Sequence, residues 1–120
     1  MRRKSFLFVN RKAPYGAGRA AEALEAALVA ASLGQEVHLA YLDDGVFQLL
    51  AGQEPARLGR RDFTASLQEL GEYDIDHVWV DGQSLRERGL TPADLLVAAT
   101  LLDRAAMAEL MAGMDVVVSI

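Results

Sequence analysis

The stretch FLFV, residues 6–9, is apolar at every position instead of alternating between apolar and polar residues. A strand with this pattern is covered on both faces, which is typical of a parallel sheet packed between helices. The runs Val37–Leu42 and Val78–Val80 predict further strands of this kind, and Val116–Ile120 predicts another at the carboxyl end. The stretch Leu95–Leu102 is compatible with either a helix or a brief strand.

Helical patterns alternate with these strands. Gly34 is placed to end the first helix, and Asp62 and Asp103 are placed to begin two others. Thr91 and Asp94 have the spacing of a capping box, which predicts the start of a short helix. The alternation of strand and helix predicts an α/β fold, a three-layer α/β/α sandwich around a mainly parallel sheet of about five strands.

The composition limits both the organisation and the function of the chain. Residues 1–120 are expected to form a single domain. The absence of cysteine excludes disulfides, thiolate metal sites, cysteine nucleophiles and persulfide carriage by this chain itself. The net charge of −5 argues against direct nucleic-acid binding. The apolar run after the basic residues Arg2–Lys4 is too short for a secretory signal or a membrane span, which favours a cytoplasmic protein.

Functional groups of parallel sheets gather where the strands end, which here points to Asn10–Gly18, Asp43–Gly52 and Asp81–Arg88. The turn Gly16–Gly18 precedes a helix, so its amides can in principle hold a phosphate. Ala21 stands in place of the third glycine of a dinucleotide fingerprint, and no Walker lysine–serine pair follows. Two interpretations stay open: a flavodoxin-like module that binds a nucleotide or other anion, or a turn shaped only by its proline and glycines.

Asp43 and Asp44 form an acidic pair after the second predicted strand. No third ligand or histidine lies near them in the sequence, so we predict no metal site. Asp44 is predicted instead to cap the turn that begins at Gly45.

An apolar run follows in a region expected to be a loop or a single helical turn: Val46, Phe47, Leu49 and Leu50. Buried core and a contact surface with another subunit are both open interpretations. As a candidate subunit interface, the run predicts that exchange of Phe47 or Leu49 for Asp weakens assembly without unfolding the domain.

The remaining polar residues predict no catalytic site. His38 lies inside a predicted strand and His77 at the start of another, so both are expected to be structural. Ser84 lacks the GxSxG pattern of hydrolases, and its spacing from Glu87 predicts a helix cap instead. We therefore predict no catalytic residue, metal or cofactor.

Four stretches carry a more specific pattern: NRKAPYG at residues 10–16, LDDGVFQLLAGQ at 42–53, VDGQSLRERGLT at 80–91 and AELMAGMDVVVSI at 108–120. Together these stretches resemble the DsrE/DsrF-like family, specifically its DsrF/TusC branch. The resemblance implies a DsrE-type fold and a place in a heterohexamer, TusBCD or DsrEFH. In such a complex this chain joins homologous DsrE/TusD-like and DsrH/TusB-like subunits, while a homo-oligomer is possible if it is purified alone.

The resemblance also implies a function. Complexes of this type accept sulfur as a cysteine persulfide and pass it to other sulfur-carrier proteins. The sulfur serves either 2-thiolation of a tRNA wobble uridine or dissimilatory sulfur oxidation. Asp81 aligns with the transfer cysteine of the DsrE/TusD branch, and a carboxylate cannot form a persulfide. The resemblance therefore implies a noncatalytic structural subunit of a sulfurtransferase complex, in which Asp81 is a vestigial or structural residue.

Overall fold

The computed structural model describes residues 3–13, 19–51 and 67–120. These residues contain one sheet of five parallel strands in the order β4-β3-β2-β1-β5. The strands are β1 (Ser5–Asn10), β2 (Glu36–Tyr41), β3 (His77–Asp81), β4 (Thr100–Leu102) and β5 (Val116–Ser119). The predicted α/β fold with a parallel five-stranded sheet is confirmed.

Three α-helices and three 3₁₀ turns lie between the strands in the described part of the chain, and residues 67–68 are also helical. The helices are α1 (Arg19–Ser32), α2 (Gly82–Glu87) and α3 (Arg104–Ala112). The 3₁₀ turns are Asp43–Leu49, Leu70–Tyr73 and Pro92–Asp94. The ambiguous run Leu95–Leu102 contributes only the short strand β4. The predicted helix start at Asp62 lies outside the described residues.

The larger part of the core lies on the face of the sheet that packs against α1. Phe8, Leu39 and Val80 point to this side from three neighbouring strands and are at most 4% exposed. Ala20 and Ala27 of α1 pack against them and are at most 3% exposed. Small alanine side chains let the helix axis lie close to the strands, which explains why alanine dominates this helix.

The opposite face of the sheet carries a smaller core. Leu7, Val9 and Ala40 are almost fully buried there under Met107 of α3. Trp79 of β3 packs at the margin of this cluster and is half-buried. Because α3 spans only nine residues, it leaves part of this face accessible, as the exposure of His77 shows.

Capping residues determine where the helical segments begin and end. Asp103 accepts a hydrogen bond from the amide of Ala106 at 2.8 Å and begins α3, as predicted. Asp94 accepts a hydrogen bond from the amide of Thr91 at 2.8 Å, so the predicted capping box is confirmed. Gly34, with φ of 86°, adopts the left-handed conformation just after α1, where a glycine was predicted to end the helix.

Candidate functional site

Three neighbouring strands end in polar residues or turns at the carboxyl edge of the sheet. Asn10 ends β1 beside Tyr41 of β2, and Asp81 ends β3 beside Leu102 of β4. Asn10, Tyr41 and Asp81 are each at most 4% exposed. The side chains that end these strands therefore form a buried polar layer, in which each polar group is expected to find a hydrogen-bond partner.

The turn after β2 fits against the end of β1 through backbone contacts. A Cβ atom on Gly45 would overlap the carbonyl group of Asn10, lying 2.6 Å from its carbon atom. The same carbonyl oxygen accepts a hydrogen bond from the amide of Leu42 at 3.0 Å. Asp43 precedes this contact with φ of 51°, a left-handed conformation that aspartate tolerates better than most residues. Backbone packing thus requires glycine at position 45, and the left-handed conformation favours aspartate at position 43.

Ser84 links this turn to the end of β3. Its hydroxyl accepts a hydrogen bond from the amide of Asp43 at 2.9 Å and donates one to Oδ2 of Asp81 at 2.6 Å. Both capacities of the hydroxyl are therefore used inside the protein, and Ser84 is only 1% exposed. A serine in this state has no access to substrate, which agrees with the prediction that it is not a nucleophile.

Asp81 is the residue that begins α2. Its Oδ2 accepts a hydrogen bond from the amide of Ser84 at 3.1 Å, so Asp81 is the N-cap. This corrects the prediction that Ser84 itself caps the helix. The second oxygen, Oδ1, is buried without a hydrogen-bond partner among the described residues. A buried acceptor without a partner costs about 1–3 kcal/mol, so Oδ1 is an unsatisfied group of this edge within the part of the chain that the structure describes.

Asp44 does not have the predicted role. The 3₁₀ turn begins after Leu42 with no side-chain cap, and Asp44 instead pairs with the guanidinium of Arg88 at 3.0 Å. Arg88 also lies 6.0 Å above the ring of Phe47, within the range of a cation–π contact. The prediction was wrong because the partner of Asp44 lies 44 residues further along the chain, where local spacing gives no signal.

The four apolar residues of the candidate interface separate into two groups. Val46 and Leu49 are 0% exposed and belong to the main core. Phe47 and Leu50 are half-buried and remain partly accessible. The predicted contact surface therefore narrows to Phe47 and Leu50, because a side chain inside the core cannot reach another subunit in this conformation.

The segment around this turn is also fixed by contacts that sequence reasoning missed. The side-chain amide of Gln48 donates a hydrogen bond to the carbonyl of Lys12 at 2.7 Å, which ties the turn to the chain after β1. Leu50 forms an isolated antiparallel bridge with Leu95. A polar residue inside an apolar run was the only signal of the first contact, and nothing in the sequence indicated the second.

His38 belongs to a hydrogen-bonded cluster on the face that α3 covers, and His77 stacks on this cluster. Trp79 donates from its indole nitrogen to Nδ1 of His38 at 3.1 Å, and Nε2 of His38 lies 2.8 Å from Glu36. His77 stacks on His38 with ring centroids 4.5 Å apart. The hydrogen bond with His38 lowers the pKa of Glu36 below its usual value. Both ring nitrogens of His38 are engaged, which agrees with a structural role.

A cavity of about 230 Å³ opens at the carboxyl edge between the sheet and α3. Buried Asp81 and Met107 are part of its lining, together with half-buried Leu42 and Met111. The exposed residues Arg11, Asp43, Arg104 and Ala108 are the other described members of the lining. The cavity thus combines a largely apolar interior with charged groups nearer solvent.

No cluster of three or more potential metal ligands occurs among the residues that the structure describes. Within the same residues, no helix is long and apolar enough to span a membrane. The candidate anion-binding turn Gly16–Gly18 lies outside the described ranges.

A five-stranded parallel sheet with helices packed on its faces defines an α/β domain. Comparison with known proteins identifies its family. A model of the DsrE/DsrF-like family matches residues 4–120. The chain belongs to the DsrE/DsrF-like family.

Relatives cover nearly the whole chain. The "Intracellular sulfur oxidation protein DsrF" of Allochromatium vinosum is 39% identical over 130 residues, covering 97% of this chain and 96% of the relative. The "Protein TusC homolog" of Pseudomonas aeruginosa is 38% identical over 117 residues, covering 98% of each chain. "Protein TusC" of Escherichia coli O9:H4 is 41% identical over 115 residues, covering 95% of this chain and 97% of the relative.

Solved structures support the fold. The ychN protein from E. coli superposes with a TM-score of 0.83 at 19% identity, covering 98% of this chain and 99% of that one. A protein of unknown function from Methanobacterium thermoautotrophicum gives a TM-score of 0.70 at 12% identity, covering 99% of this chain and 100% of that one. At these identities the likeness concerns the fold alone.

Proposed function

We propose that this chain is a noncatalytic structural subunit of a sulfur relay complex, in which persulfide sulfur passes between other proteins. Relatives with 38–41% identity over nearly the full chain are named DsrF and TusC, which supports a role in sulfur relay. One of these names refers to intracellular sulfur oxidation. The resemblance to the DsrF/TusC branch adds tRNA wobble-uridine 2-thiolation as the other destination for the sulfur.

The proposal rests on the absence of cysteine and on the structural role of Asp81, which ends β3. A persulfide carrier needs a reactive thiolate, and the sequence contains no cysteine at any position. Asp81, which by the resemblance stands in the place of the transfer cysteine of the DsrE/TusD branch, is 2% exposed, and its Oδ2 accepts hydrogen bonds from Ser84. Asp81 thus holds α2 in place, a structural task that is compatible with a subunit that supports catalysis by a partner.

We infer that the area around Phe47 is the contact surface for such partners. Phe47 is half-buried and lies beneath the guanidinium of Arg88, which in turn pairs with Asp44. Aromatic residues and arginine are enriched in protein interfaces relative to other surface residues. We propose that this Phe47–Arg88 surface contacts a DsrE/TusD-like or DsrH/TusB-like subunit in a heterohexamer, located in the cytoplasm.

Affinity capture from the native host, followed by native mass spectrometry, tests the composition of the complex. We expect two other small subunits of the same family, at least one of which carries a cysteine that accepts sulfur. Their identity would distinguish sulfur oxidation from tRNA thiolation. Recovery of a homo-oligomer with a bound nucleotide or flavin would contradict the proposal and favour the anion-binding module.

The noncatalytic assignment is tested in the reconstituted complex with the variant Asp81→Ala. Transfer of ³⁵S from the persulfide donor to the acceptor protein should fall by less than about threefold, because the carboxylate supports only the helix and not the reacting sulfur. Replacement of the partner's sulfur-accepting cysteine by serine is the matched control and should abolish transfer. A loss of several hundredfold for Asp81→Ala with assembly intact would show that this residue takes part in the reaction.

A further inference from the structure

A groove of about 380 Å³ lies between α1 and the 3₁₀ turn Leu70–Tyr73. Three large side chains that line it are exposed: Val29 at 54%, Leu33 at 65% and Tyr73 at 36%. They are three of the five large apolar or aromatic side chains that are exposed in the described part of the chain. Exposed apolar residues that gather in one place indicate an interaction surface, whereas single ones do not.

The position of these residues on α1 shows that the fold does not need them for its own core. Leu24 and Ala27 of α1 are buried in the main core. Val29 and Leu33 stand four residues apart on the exposed part of the helix, so their side chains lie on one face. A helix that covers a sheet normally presents polar residues to solvent. The apolar pair Val29 and Leu33 is therefore available to another molecule.

The elements that form the groove are strongly acidic. Residues 20–35 and 67–85 contain no lysine or arginine. Five exposed carboxylates belong to α1 or to the region of the 3₁₀ turn: Glu22, Glu25, Glu69, Glu72 and Asp74. None of the five forms a salt bridge within the part of the chain that the structure describes. Glu25 itself lines the groove, so apolar surface and negative charge occur together.

We propose that this groove binds an amphipathic helix of a partner protein, whose apolar side chains contact Val29, Leu33 and Tyr73. Helices that dock in grooves present anchors three or four residues apart, which matches the spacing of Val29 and Leu33. Lysine or arginine side chains beside the anchors complement the carboxylates, which orients the helix and speeds association. A nucleic acid or an anionic lipid surface would be repelled, and so would a second copy of this chain with its net charge of −5.

A titration of the ¹⁵N-labelled full chain, followed by NMR, tests this proposal. The probe is a peptide of leucine and lysine, about 18 residues long, with the leucines along one helical face. We expect saturable amide shifts centred on Val29, Leu33 and Tyr73. A peptide of the same composition in scrambled order, which has no apolar face, should bind about fivefold more weakly or worse. Absence of binding, shifts centred elsewhere, or equal binding of the scrambled peptide would overturn the proposal.

The apolar contact is tested with the double variant Val29→Gln with Leu33→Gln. Both side chains are exposed, so the domain should remain folded, while affinity for the leucine–lysine peptide should fall about tenfold or more. Leu101→Gln is the matched control, because Leu101 is 42% exposed but belongs to β4, and its affinity should stay within about twofold of the parent chain. Equal affinity of the double variant and the parent chain would contradict the proposed position of the helix.

The charge contribution is tested with Glu22→Gln and Glu25→Gln combined, which also keeps the test decisive if the apolar variant does not fold. We expect the peptide to bind about two- to fivefold more weakly at low salt and to lose part of its salt dependence. Glu109→Gln removes a carboxylate from α3, on the opposite face of the sheet, and should leave both properties unchanged. Equal binding of a leucine–glutamate peptide with the same pattern would overturn the choice of a basic partner.

Light scattering of the purified chain distinguishes the partner helix from a second copy. An unchanged mass for Leu33→Gln would agree with a groove that is free for a partner. Conversion of an oligomer to a monomer by this substitution would show that copies of the chain occupy the groove, and would overturn the proposal. The peptide titration needs only this chain, so its failure would not affect the proposed sulfur relay role.

Discussion

The indole nitrogen of Trp79 donates a hydrogen bond to Nδ1 of His38 across 3.1 Å. Indole N–H is a donor only, so Nδ1 acts as the acceptor and the proton of the neutral imidazole lies on Nε2, which faces Glu36 at 2.8 Å. The three side chains form a directed chain of hydrogen bonds that joins β3 to β2. This arrangement explains why a histidine occupies a nearly buried position in the sheet.

The Trp79–His38 hydrogen bond should contribute measurably to stability. Trp79→Phe keeps an aromatic ring in the same place but leaves Nδ1 of His38 without its donor, so we expect a loss of about 1–3 kcal/mol in the free energy of unfolding. Urea denaturation followed by far-UV circular dichroism measures this change. His77→Phe, at the exposed end of the same stack, should change stability by less than about 0.5 kcal/mol. Equal stability of the two variants would argue against the hydrogen bond.

Glu36 should make stability depend on pH in the acid range. Its pKa is lowered in the folded protein chiefly by the hydrogen bond with His38, so its contribution is complete above the usual value of 4.5 and is lost as the pH falls through the lower folded pKa. Because 45% of the side chain is exposed, we expect less than about 1 kcal/mol.

The comparison of Glu36→Gln with the parent chain isolates the contribution of the Glu36 carboxylate to the free energy of unfolding. The parent should be the more stable at pH 6, and the difference should shrink towards pH 3 in urea denaturation series. Glu109→Gln, on exposed α3, is the matched control. A difference that grows on acidification would have the wrong sign for a carboxylate with a lowered pKa.

Phe47 and Leu49 should respond differently to substitution. Phe47→Asp introduces a charge at a partly accessible position, and we expect weaker subunit assembly with the domain still folded. Leu49→Ala removes a side chain from the core, where such changes cost about 2–5 kcal/mol. Size-exclusion chromatography with light scattering measures assembly, and thermal unfolding measures stability. Intact assembly of Phe47→Asp would exclude the proposed contact surface.

Gly45 should tolerate no side chain. Gly45→Ala places a Cβ against the carbonyl group of Asn10, whose backbone is fixed within β1, so we expect a loss of about 3 kcal/mol or more, at the upper end of overpacking costs. Gly71→Ala is a suitable control, because a Cβ there meets nothing within 4 Å. Similar melting temperatures for the two variants would show that the turn can move away from β1.

The three central strands β1, β2 and β3 were predictable because a strand covered on both faces is apolar at nearly every position. Val37–Leu42 predicted β2 within one residue at each end, and Val78–Val80 predicted the centre of β3. The same reasoning does not predict whether the apolar residues of the run Val46–Leu50 are buried in the core or exposed. Apolar residues in a turn can enter the core of the same chain or contact another one, and only the path of the backbone decides between them.

The capping residues of the site show a second limit of prediction from the sequence. Ser84 has a capping-box partner at the right spacing, yet Asp81 is the N-cap, because the preceding strand brings that carboxylate to the amide of Ser84. The contact between Asp44 and Arg88 likewise depends on tertiary structure. The sequence indicated which segments meet at the carboxyl edge through the general geometry of parallel sheets, but not which atoms pair there.

The close approach of Gly45 to Asn10 also has an evolutionary consequence. A glycine that lacks room for even one methyl group is retained by selection for folding, whatever chemistry the protein performs. A search pattern built on the DDG sequence at Asp43–Gly45 therefore selects chains that share a backbone arrangement. Relatives that serve different pathways are expected to differ instead at exposed positions, such as Arg11 and Arg104 in the lining of the cavity.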